Sequence, residues 1–351
     1  MQITRATLDE AAAQGVLDRT QASALWDYLA ARQRDLPAFK AAHILYYLGG
    51  LIAIGAMTLF MTLGWERFGG AGLLSISVCY GAVALLFTEV LLGRKLVLPA
   101  GTTAALAVAM VPLAVYAAQH LLGFWPETSG TRGWAYRDYH AYIDGRWILM
   151  ELATLAAGAV ALRRYRLPFL VLPVAVTLWY LSMDLVPFLF GGESATFFST
   201  RGRWVSSCFG LAMTLLAFRV DLRTTQAKDY AFWLYVLGVL TFWGGLTSMD
   251  SNSELGKFLY GCINLTMIAI GAALARRVFA VFGGIGVAFY LGHLSHTVFK
   301  DSMLFPVALT AIGLLVVAAG VWWQRREAQI GARLRSFLPL PVRQLVERRA
   351  A

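Results

Sequence analysis

The 351-residue chain is 58% hydrophobic and only 14% charged, with a mean hydropathy of +0.62. A water-facing surface needs roughly 25% charged residues, so this composition excludes an ordinary soluble domain and puts the chain in a membrane. The formal net charge of +10 then reads as basic residues between spans, and no nucleic-acid partner is expected.

Residues 1–40 are polar. Thr7 with Glu10 and Asp18 with Gln21 have capping-box spacing, each ahead of a helical pattern, and Leu25, Tyr28 and Leu29 line one face of the second. This region is expected to be a cytoplasmic helical hairpin that packs or docks a protein partner. No basic region, apolar run and cleavage site of signal-peptide type precede the first span.

A bilayer core takes about 20 apolar residues as helix. The pattern predicts an all-α polytopic transmembrane bundle over 41–324, of about ten spans built from paired hairpins: 42–62, 72–92, 97–118, 147–162, 167–189, 204–218, 229–248, 258–275, 278–298 and 304–323. Pro173 is expected to kink the fifth. The glycines at 244, 245, 283, 284 and 286 suit close helix approach or a local break. Cys79, Cys208 and Cys262 lie inside apolar runs without CxxC spacing and read as buried packing residues. Residues 325–351 alternate basic and apolar positions, which suits a tail lying on anionic headgroups at the cytoplasmic face.

With the N-terminus inside, the 30 Lys and Arg residues divide 22 to 8 in favour of the inner side. Every inner turn is basic, so both termini are expected in the cytoplasm and the protein in a bacterial inner membrane. The longest outer connection, His120 to Arg146, is rich in Trp and Tyr and reads as interfacial belt or as a lid.

Glu151 to Val186 and Asn264 to Phe299 match without a gap at an offset of 113 residues (264 minus 151), with about a third of positions identical. Arg163-Arg164 falls on Arg276-Arg277 and Gly158 on Gly271. The repeated unit is two apolar helices joined by an arginine turn. Equivalent positions of both hairpins are expected to aim at one internal surface.

Ionisable groups inside a bilayer call for an explanation. Glu89 is expected to pair with Arg94 or Lys95. Glu151, Asp184, His293 and His296 share one depth in the outer half on the predicted topology, with Tyr180 and Asn264 as hydrogen-bonding lining and His120 and His140 at nearby height. Three functions compete for this cluster. One is a hydrated, outward-opening cavity that binds a small solute or lipid-like molecule and a proton, as in a transporter. The second is a membrane hydrolase in which His293, His296 and Asp184 hold a divalent metal such as zinc. The third is a non-catalytic scaffold whose polar groups bond across helices. No phosphate loop, dinucleotide fold, GxSxG or DxD pattern is present, so the nucleotide-dependent and serine-hydrolase classes have no support.

The hairpin GVLDRTQASALWDYLAARQRD followed by LYYLGGLIAIGAMTLF resembles the start of a family of uncharacterised bacterial multispan proteins, the domain of unknown function 2157. The resemblance covers about the first 60 residues. It implies a cytoplasmic N-terminal hairpin and an inner-membrane location, and brings no activity or site residues.

Overall fold

A computed structural model describes residues 5–33, 41–124, 145–190, 199–224, 229–249, 251, 253–298 and scattered positions between 307 and 318. All regular elements among these residues are helical. In chain order they are α1 (Arg5–Ala13), α2 (Arg19–Gln33), α3 (Ala41–Gly93), α4 (Val97–Ala109), α5 (Val111–Leu121), α6 (Gly145–Tyr165), α7 (Val171–Phe190), α8 (Thr200–Arg223), α9 (Phe232–Thr247), α10 (Glu254–Leu274) and α11 (Arg277–Val298).

Among the described residues seven stretches are long and apolar enough to cross a bilayer: Phe68–Gly93, Val97–Leu121, Gly145–Tyr165, Pro168–Val186, Thr200–Arg223, Glu254–Leu274 and Arg277–Leu294. A shorter apolar helix covers Phe232–Thr247. In Phe68–Gly93 only 17% of the most apolar window is buried by the rest of the protein. Leu86, Phe87 and Val90 there stand exposed, which water would disfavour and lipid accepts. The chain is therefore built as a multi-pass membrane protein. Most of the expected tenth span, 304–323, and most of the outer connection lie outside the described residues.

Local chemistry sets the breaks. Gly69 takes φ 60° and ψ −178° inside α3, dividing it into two arms, a conformation that glycine alone adopts freely. The third expected span divides into α4 and α5 at Met110, whose own φ and ψ stay helical, because Pro112 in the first turn of α5 has no N–H to continue the ladder. Pro173 does not kink its span as expected. A short 3-10 turn, Pro168–Leu170, precedes α7, so Pro173 falls in the first turn, where a missing N–H breaks no helical bond. In the N-terminal hairpin the Asp18 N–H donates to Gln21 Oε1 at 3.2 Å, as a capping box does. Thr7 falls inside α1, which starts at Arg5.

Helix pairs close on small residues, as packing in lipid requires. At Gly210 of α8 an added Cβ would stand 2.2 Å from the Phe242 nitrogen of α9, and Ser206 donates across the same seam to the Thr241 carbonyl at 3.3 Å. Helix α9 also packs against α7 on one side and α11 on another. Its placement decides which polar groups meet.

Four turns gather at one end of the molecule. Glu89 Oε1 accepts from Arg164 at 3.2 Å, tying the end of α3 to the end of α6. The expected pairing of Glu89 with Arg94 or Lys95 is replaced by this bond, because the α6 turn reaches the Glu89 face. The Tyr230 hydroxyl donates to the Arg166 carbonyl. Arg276, in the turn between α10 and α11, donates to both Asp221 oxygens at 3.1 Å and to Asp229 Oδ1 at 2.9 Å. Its guanidinium also lies 4.9 Å from the Tyr235 ring centroid.

Candidate functional site

The α6–α7 hairpin explains how two acidic side chains come together. Glu151 precedes the turn, and Asp184 follows it, by about four helical turns each, roughly 20 Å at 1.5 Å per residue. Antiparallel neighbours with equal distances from a shared turn put these positions at one level. Both residues are buried, at 7% and 8% exposure, and their carboxyl groups face each other closely enough to interact.

The hydroxyls on the two helices beside the pair are turned to their own backbone. The Thr154 hydroxyl, one turn along α6, donates to the Met150 carbonyl at 2.7 Å. The Ser182 hydroxyl donates to the Trp179 carbonyl at 2.6 Å. Among the described residues no N–H or O–H reaches either Glu151 oxygen. On α5, Gln119 spends its amide on the Arg146 carbonyl at 3.2 Å, while its buried Oε1 meets no donor among the described residues. Leu113, Tyr116, Ala117 and Met150 form the adjoining apolar cluster. Below the pair, Gly158 lets α6 close on α7, since an added Cβ would meet Val174 at 2.5 Å.

The other expected site residues lie elsewhere. Asn264 is fully buried, but between α9, α10 and α11. Its amide donates to the Tyr260 carbonyl at 2.8 Å, and its Oδ1 accepts from Trp243 Nε1 at 3.2 Å. Gly286 of α11 faces it so closely that a Cβ would lie 1.9 Å from Oδ1. His293 Nε2 sits 4.0 Å from Glu254 Oε1, an oxygen that also accepts from Lys257 at 2.7 Å. Tyr180 is half exposed and rests on Trp179, with ring centroids 5.3 Å apart. His120 is exposed at the end of α5, its ring 6.2 Å from Tyr116. His140 and the His296 side chain lie outside the described residues.

The expectation that both repeated hairpins aim polar positions at a single surface therefore gives way to two separate polar sets. Glu151 and Asp184 belong to α6 and α7, and Asn264 to the α9–α10–α11 group. Helix α9 contacts both α7 and α11, so it takes the place that direct hairpin contact would need. Among the described residues no three His, Cys, Asp or Glu side chains gather closely enough to hold a metal ion. For the divalent metal expected from His293, His296 and Asp184, His293 is placed beside Glu254 instead.

The Arg276 clasp is not legible in the sequence. Asp221 and Asp229 flank a loop near the cytoplasm-facing side of the predicted topology, where charges are ordinary, and nothing in their spacing names the turn at Arg276 as partner. Glycines 283, 284 and 286 lie within an unbroken α11, and Gly283 and Gly286 serve close approach to α10. Comparison with protein-family models, with curated proteins and with solved structures found no match.

Proposed function

We propose that this protein is a multi-pass membrane carrier in which the Glu151–Asp184 pair takes up and releases a proton as a small solute or lipid-like molecule passes. The observation that carries it is the pair itself, two carboxyl groups buried face to face between apolar helices, with no donor on Glu151 from any other of the described residues. Two carboxylates about 4 Å apart repel by roughly 4 kcal/mol at an effective dielectric near 20. A shared proton removes that repulsion and supplies the missing donor. A group that holds one proton and releases it when its surroundings are hydrated is what coupled transport uses.

The wider architecture belongs to the same proposal: ten spans, two related arginine-turn hairpins, both ends in the cytoplasm and residence in a bacterial inner membrane. Support for the duplicated hairpin comes from Gly158 and Gly271. The sequence offset pairs them, and each faces the returning helix of its own hairpin so closely that an added Cβ would stand 2.5 Å from Val174 at Gly158 and 2.9 Å from the Ala280 nitrogen at Gly271.

The test is reconstitution into vesicles with an internal pH-sensitive dye, an imposed pH gradient and pooled small solutes outside. Wild type should dissipate the gradient faster with at least one pool, and E151Q/D184N should not. Equal rates for the two proteins with every pool, in either membrane orientation, would sink the carrier. A scaffold is the second reading. It is favoured by the α8–α11 part, where Asn264 and Arg276 are engaged on several sides by neighbouring helices.

A further inference from the structure

The arginine end of the molecule holds more positive charge than its own structure uses. Arg276 is buried and occupied by Asp221 and Asp229. Around this clasp stand four exposed arginines, Arg166, Arg219, Arg223 and Arg277. Contacts already described fix their neighbourhood. Arg219 and Arg223 flank Asp221 on the last turn of α8, Arg277 adjoins Arg276, and Arg166 is tied through its carbonyl to Tyr230, next to Asp229. Among the described residues the carboxylates of this clasp are Asp221 and Asp229, both bonded to Arg276, so the five arginines of this end carry three positive charges more than the clasp balances (five minus two).

Two of the four sit over exposed apolar side chains of their own helices. Leu215, four residues before Arg219 on α8, is 59% exposed, and Val281, four residues after Arg277 on α11, is 56% exposed. Positions four apart share a helix face. Each column therefore has a cation at the helix end and bare hydrocarbon one turn further into the span. Free phosphate would use only the upper part of such a column. A phospholipid uses both, phosphate above and acyl chain below. Exposed Phe232, packed on Trp233 with ring centroids 5.0 Å apart, adds an interfacial aromatic beside the clasp.

We infer that this end is a docking surface for anionic phospholipid headgroups, held by Arg166, Arg219, Arg223 and Arg277 around the Arg276 clasp. The inference is independent of the acid pair, and either stands without the other. Basic residues at a membrane surface attract anionic lipid with a strength worth about a five-fold change in binding per charge.

The experiment uses the full chain in neutral detergent, titrated with phosphatidylglycerol or phosphatidylcholine, with retained lipid read by native mass spectrometry and stability by thermal unfolding. Phosphatidylglycerol should be retained and raise the melting temperature, and phosphatidylcholine should do neither. The variant R166Q/R219Q/R223Q/R277Q should bind phosphatidylglycerol weaker by about five-fold per arginine removed, while the corresponding all-lysine variant keeps most of the binding. Should the fourfold glutamine variant not fold, R219Q/R223Q and R166Q/R277Q are measured separately, each expected to lose about half the effect on a logarithmic scale. Equal retention of phosphatidylcholine, wild-type binding in the glutamine variants, or the same thermal shift with inorganic phosphate alone would each overturn the inference.

Discussion

Arg276 and Asp221 stand 55 positions apart in the chain and meet through two bonds of 3.1 Å with both side chains buried. Burial by itself would lower the Arg276 pKa, but the hydrogen bonds and charges of Asp229 and Asp221 outweigh it and raise it, so the guanidinium stays charged at every working pH. Removing Arg276 leaves Asp221 buried and without this counter-charge. R276Q should therefore destabilise by about 3–5 kcal/mol, read as a lowered melting temperature in detergent. An unchanged midpoint would show that the clasp is loose.

Tyr230 links the α6–α7 turn to the same end. Burial raises its phenol above the ordinary 10.0, with the Arg166 charge pulling the other way. A raised folded-state value means that the associated stability is fully present below pH 10 and is lost as pH climbs through the folded value. Y230F should cost about 0.5–1.5 kcal/mol at neutral pH by removing the bond to the Arg166 carbonyl. It should also flatten the alkaline limb of a stability-against-pH curve. Parallel alkaline limbs in the two proteins would contradict this assignment.

The acid pair makes a prediction that needs no substrate. Glu151→Lys places a cation opposite Asp184, so it should fold and unfold near the wild-type midpoint. E151K/D184N leaves that cation buried without a counter-charge, at a cost of about 3–5 kcal/mol relative to the single variant. Equal stability of the two variants would mean that the carboxyl groups do not face each other.

Gly286 and Gly284 lie on different faces of α11. A Cβ at 286 would collide with Asn264, whereas one at 284 meets nothing within 4 Å. G286A should lose about 1–3 kcal/mol, and G284A should gain a few tenths up to about 1 kcal/mol from helix propensity. Asn264→Ala in the G286A background should recover part of the loss, since the clash is with the Asn264 amide.

Ala275 ends α10 at φ 53°, and the Arg276 N–H closes the turn on the Gly271 carbonyl at 2.9 Å, the closure that glycine favours. A side chain in this left-handed conformation costs roughly 1 kcal/mol or a little more. A275G should raise the melting temperature by the corresponding amount, and a fall would show that the turn is held by something other than this closure.

Composition and periodicity decided much of what this protein is. A chain with so few charges has no way to cover a soluble surface, so membrane helices follow from chemistry before any contact is known. The arginine turns were readable too, because short connections between apolar stretches of span length force antiparallel neighbours. That geometry is also why Glu151 and Asp184 were candidates for one level: they lie equally far from a turn that the sequence itself displays. Partners between hairpins are a different matter. Glu89 had basic residues within two turns of its own helix, yet it bonds Arg164. Asn264 and His293 were aligned with Glu151 and Tyr180 by an internal match, yet they rest against Trp243 and Glu254. The deciding fact is the seat of α9 against both α7 and α11. Small residues such as Gly210 and Gly238 in turn close α9 on α8. Such close packing is a relation between surfaces, and a one-dimensional pattern fixes the faces of a helix without fixing which neighbour each face receives.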